Sequence, residues 1–426
     1  MSKCPRPTGT HVLAFFALTA ACGPGSAPPP AAAPRALPLT ATVPAPIAAM
    51  PAPAPGATTP EAAVTRLFTE QPSRQEWFAP SFLEAVTTSK IDALVTSMKD
   101  DLGAIKGVTK TEERYLSTFE RGTVATTIRL DEAGRFTGLF FGSPQLAKVP
   151  LPEALARFAS LPGKISVCVA SKGAPNEGLK MDVPLAVGST FKLSILAALR
   201  DRIEVEKKLS WEHVVALEAR HKSLPSGILQ DWPDKTPLTV ASLAALMISR
   251  SDNTATDALL DLVGRARVEQ RGSRNKPFLS TREMFVLKAK AGEPLLARWR
   301  SGDETARRKL LDEAKAAPLP PVDGVSAAPT ALDVEWFYTT GELCALMAKV
   351  ADLPAMHINP GLVDPKRWDA VAYKGGSEPG VINMTTFVRK GDRSHCVSAT
   401  WNDDKALEEA KFESAYAMLL AALTDR

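Results

Sequence analysis

A run of prolines near the start of the chain limits where a folded core can lie. Twelve of the 35 prolines fall between Pro24 and Pro60, many of them alternating with alanine. Proline fixes φ and lacks a backbone N–H, so such a stretch stays extended and cannot build a hydrophobic core. The sequence therefore predicts a semi-rigid linker over residues 23–57, and the folded part of the 426-residue chain is expected to begin near residue 58.

Residues 1–22 precede this linker and have the features of an export signal. Lys3 and Arg6 supply positive charge, and residues 12–21 form an apolar run that is too short to span a bilayer. Cys22 follows small residues, as in a bacterial lipoprotein processing site. We expect an exported protein, either periplasmic or held at the membrane through a lipid on Cys22. The alternative is an ordinary cleaved signal with an incidental cysteine.

The composition of the whole chain is that of an ordinary globular protein. Hydrophobic residues make up 45% and charged residues 23%, and the net charge of +4 is small for this length. Because no basic stripe is present, we expect no nucleic-acid partner. The five histidines show no metal-ligand spacing, so we expect neither a metal nor another cofactor. We also expect a monomer.

Three cysteines belong to the folded part of the chain: Cys168, Cys344 and Cys396. An exported protein can oxidise its cysteines, but the number is odd and no spacing suggests a disulfide framework or a metal site. Cys168 and Cys396 both lie in strand-like runs. We therefore interpret these two as small buried apolar residues rather than as partners in a disulfide.

Residues 58–149 show two kinds of pattern in succession. Helical periodicity comes first, over residues 61–68, 81–86 and 91–102. Strand-like runs follow, over residues 113–121, 123–130 and 135–142. Helices followed by a meander predict a small α+β domain. No cluster of residues in this domain indicates chemistry.

Residues 150–426 predict a second α+β domain whose strands lie at both ends of its sequence. Strand-like runs come early, over residues 164–171 and 179–187, and late, over residues 370–375, 381–389 and 394–401. Helical patterns fill the middle, and a last helix is expected over residues 406–423. The expected shape is an antiparallel sheet with helices inserted between its early and late strands. Aromatic residues within 333–338 are expected to pack in the core rather than to line a pocket.

Ser189, Thr190, Phe191 and Lys192 open one of these predicted helices. Positions i and i+3 share a helix face, so Ser189 and Lys192 are expected to be neighbours. A serine hydroxyl is a weak nucleophile until a base takes its proton, and a lysine can be that base when burial and nearby cations lower its pKa. The alternative is a capping serine with a surface lysine, and the tetrad alone does not decide between the two.

Ser251, Asp252 and Asn253 lie between two predicted helices. One interpretation is a plain helix junction with Asp252 as the N-cap. The other gives Ser251 a proton-relay role and Asn253 a hydrogen bond to an amide of the substrate. This triplet alone leaves both interpretations open.

A third motif, Tyr373 to Ser377, follows a predicted strand. Its two glycines remove side chains where a ligand must approach the backbone, and Lys374 supplies positive charge for a substrate carboxylate. With Asn253, the candidate substrate-binding residues are Tyr373, Gly376 and Ser377. A strand that simply ends in a glycine turn is the alternative.

In this order, S-x-x-K at a helix start, S-D-N between helices and K-x-G on a strand resemble the motif set of class A β-lactamases and penicillin-binding proteins. The flanking residues 186–192 and 247–257 extend the resemblance. It implies a class A β-lactamase-like domain, with an antiparallel five-stranded sheet and an all-helical subdomain. The implied substrates are β-lactams or esters, with cell-wall peptide as a further candidate.

Two more segments, residues 223–230 and 277–285, are similar to the two-domain serine hydrolases of the clavulanic acid cluster. That family joins a steroid-isomerase-like α+β roll to a class A-like domain. The resemblance covers roughly residues 58–426. It implies a steroid-isomerase-like or cystatin-like roll over residues 58–149 and a hydrolase domain over residues 150–426.

The resemblance also implies a role for each matching position. Ser189 is the implied nucleophile and Lys192 its general base. Ser251 is implied as a proton relay, and Lys374 as the group that holds an anion. The backbone N–H groups of Ser189 and Ser377 are implied as the oxyanion hole, with the Ser377 hydroxyl on the substrate carboxylate.

Two positions depart from the class A pattern. Gly375 stands where that pattern has threonine, which removes one hydroxyl from carboxylate recognition. Class A enzymes also use a glutamate in an E-x-x-L-N segment to activate the water that clears the acyl-enzyme. Between Asn253 and Lys374 no glutamate is followed four residues later by asparagine. Residues 264–277, where that loop is expected, are too few for it.

Two glutamates near this region are interpreted as structural. Glu269 is expected to be a solvated charge at a helix end, and Glu283 to form a capping box with Ser280. We therefore expect efficient acylation and slow deacylation, hence weak turnover of β-lactams. The alternatives are a penicillin-binding or peptidoglycan-binding protein with little or no turnover, and an interaction module that docks a partner through its first domain.

Overall fold

The computed structural model describes residues 58–424, apart from 113, 143–144 and 273. The predicted export signal, the linker and Cys22 lie outside the described residues. No helix in the described part of the chain combines the length and the apolar character that a bilayer crossing requires.

The first part of the described chain places three helices before an antiparallel sheet. The helices are α1 (Pro60–Thr69), α2 (Pro80–Ala85) and α3 (Thr88–Leu102), and the strands are β1 (Ile105–Lys110), β2 (Tyr115–Phe119), β3 (Gly122–Leu130), β4 (Phe136–Phe141) and β5 (Gln145–Leu146). The order is β1-β2-β3-β4, with β5 paired to β3. These three helices lie at the segments where the sequence shows helical periodicity. Strand β1 was not expected, because Gly107 and its exposed neighbours interrupt the apolar alternation.

A second, larger antiparallel sheet is built from both ends of the remaining chain. Its strands are β6 (Lys164–Ser171), β7 (Glu177–Leu179), β12 (Ala370–Glu378), β13 (Val381–Lys390) and β14 (Arg393–Asn402), in the order β12-β13-β14-β6-β7. Short strands β8 (Leu185–Ala186) and β11 (Phe337–Tyr338) form one two-stranded ribbon, and β9 (Val214–Ala216) and β10 (Pro237–Thr239) form another. The expected five-stranded antiparallel sheet is confirmed, and β12 is one of its edge strands.

Helices cover both faces of this sheet. On one face, α4 (Leu151–Ala159) and α13 (Glu409–Ala422) bury Phe158, Phe412 and Tyr416 against the strands. On the other face, α5 (Lys192–Arg200) and α12 (Thr340–Val350) share a core with a helical subdomain. That subdomain contains α6 (Val240–Ser249), α7 (Asn253–Val263), α8 (Arg265–Glu269), α9 (Thr281–Lys288), α10 (Glu293–Ser301) and α11 (Glu304–Ala316).

The described residues form one compact unit with three hydrophobic cores. One core belongs to the first sheet and its helices, and the other two lie on opposite faces of the second sheet. The division of the chain at residues 149 and 150 therefore stays a prediction.

Two expectations about the second sheet were wrong. A continuous strand over residues 179–187 is replaced by β7 and β8, because the chain turns between them with Lys180 at φ 46°. Cys396 is not an unpaired apolar residue, since it forms a disulfide with Cys344. Helix α12 packs on β14 and brings the two Cα atoms to 5.6 Å. Cys168 is free and buried, as expected.

Candidate active site

Ser189 lies in a short 3-10 turn, Gly188–Phe191, that runs directly into α5 at Lys192. The turn is anchored by Phe191, whose ring stacks on Trp336 with centroids 3.7 Å apart. Gly188 has a φ of +48°, and a Cβ there would lie 3.2 Å from the backbone of Gly376. Glycine at 188 therefore allows both the left-handed turn and the close approach of β12.

Lys192 is fully buried and its amine contacts three other residues of the predicted site. Its Nζ donates to the Oγ of Ser189 at 3.1 Å and to the Oγ of Ser251 at 3.1 Å. It also donates to the carbonyl of Ser251 at 2.7 Å and to the Oδ1 of Asn253 at 2.7 Å. The structure thus brings Ser189, Lys192, Ser251 and Asn253 together, and a surface lysine at 192 is excluded.

The surroundings of Lys192 favour the neutral amine. Burial lowers the pKa of Lys192 well below its ordinary value, and the charge of Lys374 lowers this pKa further. The buried carboxyls of Asp257 and Asp252 oppose the shift without cancelling it. A neutral amine 3.1 Å from a hydroxyl is positioned to accept its proton.

Ser251 turns the chain between α6 and α7 with a φ of +55°. A left-handed conformation is costly for serine, and it is kept where surrounding contacts over-determine it. Asp252 supplies such contacts, because its Oδ1 accepts from the N–H of Ala255 at 2.8 Å and its Oδ2 from the N–H of Ile228 at 2.7 Å. The triplet is therefore both a helix junction with Asp252 as the N-cap and part of the site.

Lys374 approaches Ser251 from the opposite wall. Its Nζ donates to the Oγ of Ser251 at 3.1 Å and to the carbonyl of Gly375. Burial lowers the pKa of Lys374 to about 7. Ser251 Oγ thus lies between two lysine amines, an arrangement that allows a hydroxyl to pass a proton.

Two of the three other predicted substrate-binding residues on β12 face the nucleophile. A Cβ on Gly376 would lie 2.3 Å from the backbone nitrogen of Ser189, so only glycine fits there. Ser377 lines the same cavity as Ser189. Tyr373 does not. Its ring packs against the core under α4 and α13, and it is not among the residues that line the cavity in front of Ser189. We therefore remove Tyr373 from the substrate-binding residues.

The cavity in front of Ser189 measures about 270 Å³. Its remaining walls come from residues that the sequence did not single out for this role: Ser226, Thr281, Met284, Phe285, Trp336, Glu378 and Pro379. Trp336 was expected in the core and packs there, but it also faces the cavity. Ser226, Thr281, Met284 and Phe285 belong to the two segments that resemble the clavulanic acid cluster hydrolases, and this resemblance is the sequence signal that could have found them.

Neither interpreted glutamate reaches the cavity. Glu283 forms the predicted capping box with Ser280, and it is also paired with Arg265. The expectation for Glu269 was wrong, because this carboxylate is buried. It accepts from the N–H of Phe278 at 2.9 Å and from Arg308 at 2.8 Å. Both carboxylates thus hold the loop before α9.

A charged cluster at the end of β12 was also missed by the sequence. Lys288 Nζ donates to both carboxylate oxygens of Glu378, at 3.1 Å each, and to Oε1 of Glu335. Burial, together with the charge of Glu378, raises the pKa of Glu335 well above its ordinary value. Glu335 lies 47 positions and Glu378 lies 90 positions after Lys288 along the chain. No local sequence pattern therefore links the three residues.

The polar side chains that meet in this site are two lysine amines and two serine hydroxyls. Within the part of the chain that the structure describes, no group of three or more histidine, cysteine, aspartate or glutamate side chains could hold a metal ion. A serine beside a buried lysine, with a second serine and a second lysine, is an arrangement suited to nucleophilic acyl transfer.

Residues 151–306 match the model of the beta-lactamase enzyme family. Among solved structures, the beta-lactamase from Sphaerobacter thermophilus DSM 20745 is 20% identical over 64% of this chain and 94% of that chain, with a TM-score of 0.41. The beta-lactamase from Chitinophaga pinensis DSM 2588 is 19% identical over 64% and 97%, with a TM-score of 0.41. The structure of PBP-A is 14% identical over 65% and 98%, with a TM-score of 0.45. No curated protein matches the chain.

Proposed function

We propose that this protein is an exported serine hydrolase that forms an acyl-enzyme on Ser189 with β-lactam or ester substrates. One observation carries the proposal: the buried Nζ of Lys192 lies 3.1 Å from the Oγ of Ser189 and 3.1 Å from the Oγ of Ser251. A base that touches both hydroxyls can take a proton from the first and return one through the second.

In the proposed acylation, the neutral amine of Lys192 takes the proton of Ser189 as its Oγ attacks the substrate carbonyl carbon. The carbonyl oxygen gains the electron pair and accepts from the N–H groups of Ser189 and Ser377. When the carbon–nitrogen or carbon–oxygen bond breaks, the leaving atom takes the proton of the Ser251 hydroxyl. Ser251 then recovers a proton from Lys192, which returns to its neutral form.

Residues of strand β12, on the wall opposite Ser251, are proposed to position the substrate. The ammonium form of Lys374 is proposed to hold a carboxylate of the substrate, with the Ser377 hydroxyl as a second donor. Gly375 contributes no hydroxyl. A Cβ at this position would lie 2.2 Å from the Tyr373 hydroxyl, so the larger residue of the class A pattern does not fit beside Tyr373.

Deacylation is proposed to be slow. Glu378 is the only acidic side chain among the residues that line the cavity, and both of its oxygens already accept from Lys288. A carboxylate in an ion pair is a weakened base for activating water. The acyl-enzyme is therefore expected to accumulate, and turnover of β-lactams to be weak.

The alternative function is a penicillin-binding or peptidoglycan-binding protein with little or no turnover. The same Ser189–Lys192 geometry supports its acylation step. The export signal, a lipid on Cys22, the linker and a steroid-isomerase-like roll over residues 58–149 are also proposals. The order of three helices and an antiparallel sheet supports the last of these.

A panel of β-lactams and acetyl esters, assayed on the wild type and on Ser189→Ala, tests the proposal. We expect a burst of product equal to the amount of enzyme, then a slow steady rate, with both phases lost in Ser189→Ala. Rapid hydrolysis of a penicillin without a burst would contradict slow deacylation. Equal activity of Ser189→Ala would contradict the nucleophile. Mass spectrometry over time separates hydrolysis from a permanent adduct and so decides between the two functions.

A further inference from the structure

The end of the cavity beyond Ser377 combines an apolar wall with one charge. Met284, Phe285, Trp336 and Pro379 form the wall, and the carboxylate of Glu378 is the ionisable group among the lining residues. The side chain of Glu378 keeps 18% of its surface exposed. An acyl group that enters this end therefore meets both apolar surface and a hydrogen-bond acceptor.

The carboxylate of Glu378 belongs to a charged cluster behind this wall. Lys288 is one cation between two carboxyls, those of Glu378 and Glu335. Glu335 is buried, and its Oε2 has no hydrogen-bond partner among the described residues. Burial and the charge of Glu378 raise the pKa of Glu335 well above its ordinary value, so a proton on Glu335 leaves Lys288 and Glu378 as the charged pair of the cluster. Glu378 is the member of the cluster that a cation in the cavity can reach.

Strand β12 sets this carboxylate at a fixed distance from the predicted anion site. Lys374, Gly376 and Glu378 alternate along the strand and so share one face. Four residues of strand separate Lys374 from Glu378 by about 13 Å between α-carbons, and both side chains are long enough to shorten the gap. Ser189 packs against Gly376, midway between them. A substrate held over Ser189 therefore has a cation on one side and a carboxylate on the other.

We propose that Glu378 is a specificity-determining residue that favours substrates with an ammonium group on the acyl side of the scissile bond. This inference rests on the proposed function. The preferred substrate is zwitterionic, with its carboxylate at Lys374 and its ammonium at Glu378. The expected preference is up to about fivefold, the size of a partly exposed ion pair.

Ampicillin and penicillin G test the proposal, because they differ only by an amino group on the acyl side chain. Their second-order rate constants for acylation are measured by intact-protein mass spectrometry on the wild type and on Glu378→Gln. We expect the ratio of ampicillin to penicillin G to exceed one in the wild type and to fall several-fold in Glu378→Gln. A ratio that Glu378→Gln leaves unchanged would overturn the proposal, as would a wild-type ratio below one.

Glu335→Gln is the matched control. Each of the two variants leaves one carboxylate and one ammonium in the cluster, and they differ only in whether that carboxylate faces the cavity. The proposal expects Glu335→Gln to keep the wild-type ratio. Loss of the ratio in both variants would assign the effect to disruption of the cluster and overturn a direct role for Glu378. Thermal unfolding of each variant verifies that it is folded.

Equilibrium binding of the two penicillins tests the role of Glu378 independently of acylation. Failure of both penicillins to acylate the wild type would contradict the function. The affinities of Ser189→Ala for ampicillin and penicillin G, measured with and without Glu378→Gln, then decide the inference alone. A preference for ampicillin that depends on Glu378 supports it, and equal affinities for the two penicillins overturn it.

Discussion

The α-carbon of Gly376 lies so close to the amide of Ser189 that a Cβ on residue 376 would be 2.3 Å from that nitrogen. The same Cβ would lie 2.4 Å from the carbonyl oxygen of Val187. Both neighbours are backbone atoms and cannot move aside as a flexible side chain can. The contact joins the nucleophile's turn to strand β12, and it sets the spacing between the two N–H groups that are proposed to hold the oxyanion.

Gly376→Ala is predicted to damage acylation more than folding. The added methyl group must push β12 away from Ser189, which separates the two oxyanion donors. Loss of one such donor costs roughly 100-fold in rate, and we expect at least that loss in acylation by a fluorescent penicillin. Gly107→Ala is the control, because nothing lies within 4 Å of a Cβ there. Acylation within twofold of wild type in Gly376→Ala would contradict the proposed oxyanion hole.

The pH dependence of acylation is predicted to differ between a penicillin and its methyl ester. Burial lowers the pKa of Lys374 to about 7, so its ammonium is present below that pH and lost above it. Only the free acid offers a carboxylate to Lys374. The ratio of the acid's to the ester's second-order rate constant, which reports ionisation of the free protein, should fall roughly tenfold between about pH 6 and about pH 8. A ratio independent of pH would remove Lys374 from carboxylate recognition.

Asn253→Asp is predicted to move the pH profile of acylation upward. The Oδ1 of Asn253 lies 2.7 Å from the Nζ of Lys192, and a carboxylate at that distance favours the ammonium form of the lysine. A close opposite charge shifts a pKa by about one to three units, so the rising limb of the profile should shift by that amount. At neutral pH the variant should be acylated slowly. A rising limb at the wild-type pH would show that Lys192 is not the base.

The disulfide between Cys344 and Cys396 is predicted to stabilise the second sheet strongly. For its sequence separation of 52 residues, the chain-entropy argument gives about 4 kcal/mol at 25 °C. Urea unfolding with and without dithiothreitol measures this difference in the free energy of unfolding. Cys168→Ala should keep the sensitivity to the reductant, and Cys344→Ala combined with Cys396→Ala should lose it. Equal stability of the oxidised and reduced protein would contradict the prediction.

The parts of the fold that depend on local pattern could be predicted from sequence. Helices α1 to α3, strands β6, β13 and β14 and the capping box of Ser280 and Glu283 each follow from spacing within one segment. The Ser189–Lys192 pair is also local, since one helical turn joins its members. Ser251 and Lys374 lie far along the chain, and only the order of three known motifs placed them beside that pair.

The features that were missed depend on contacts between distant segments. Cys344 lies on a helix and Cys396 on a strand, so their pairing follows from how α12 packs on β14. Glu269 resembles a solvated charge in its own helix, but it is buried among contacts from Phe278 and Arg308, which lie further along the chain. Tyr373 was misplaced for the same reason. The residues of the motif around Lys374 do not show that the Tyr373 ring packs against a core built from segments far apart along the chain.

Peptide mapping of the penicillin adduct by tandem mass spectrometry tests the central claim most directly. The full chain is incubated with penicillin G, digested and sequenced, alongside Ser189→Ala as the control. The account predicts one acylated peptide with the added mass on Ser189, and no adduct in the control. An adduct on any other residue, or an adduct of equal yield in Ser189→Ala, would contradict it.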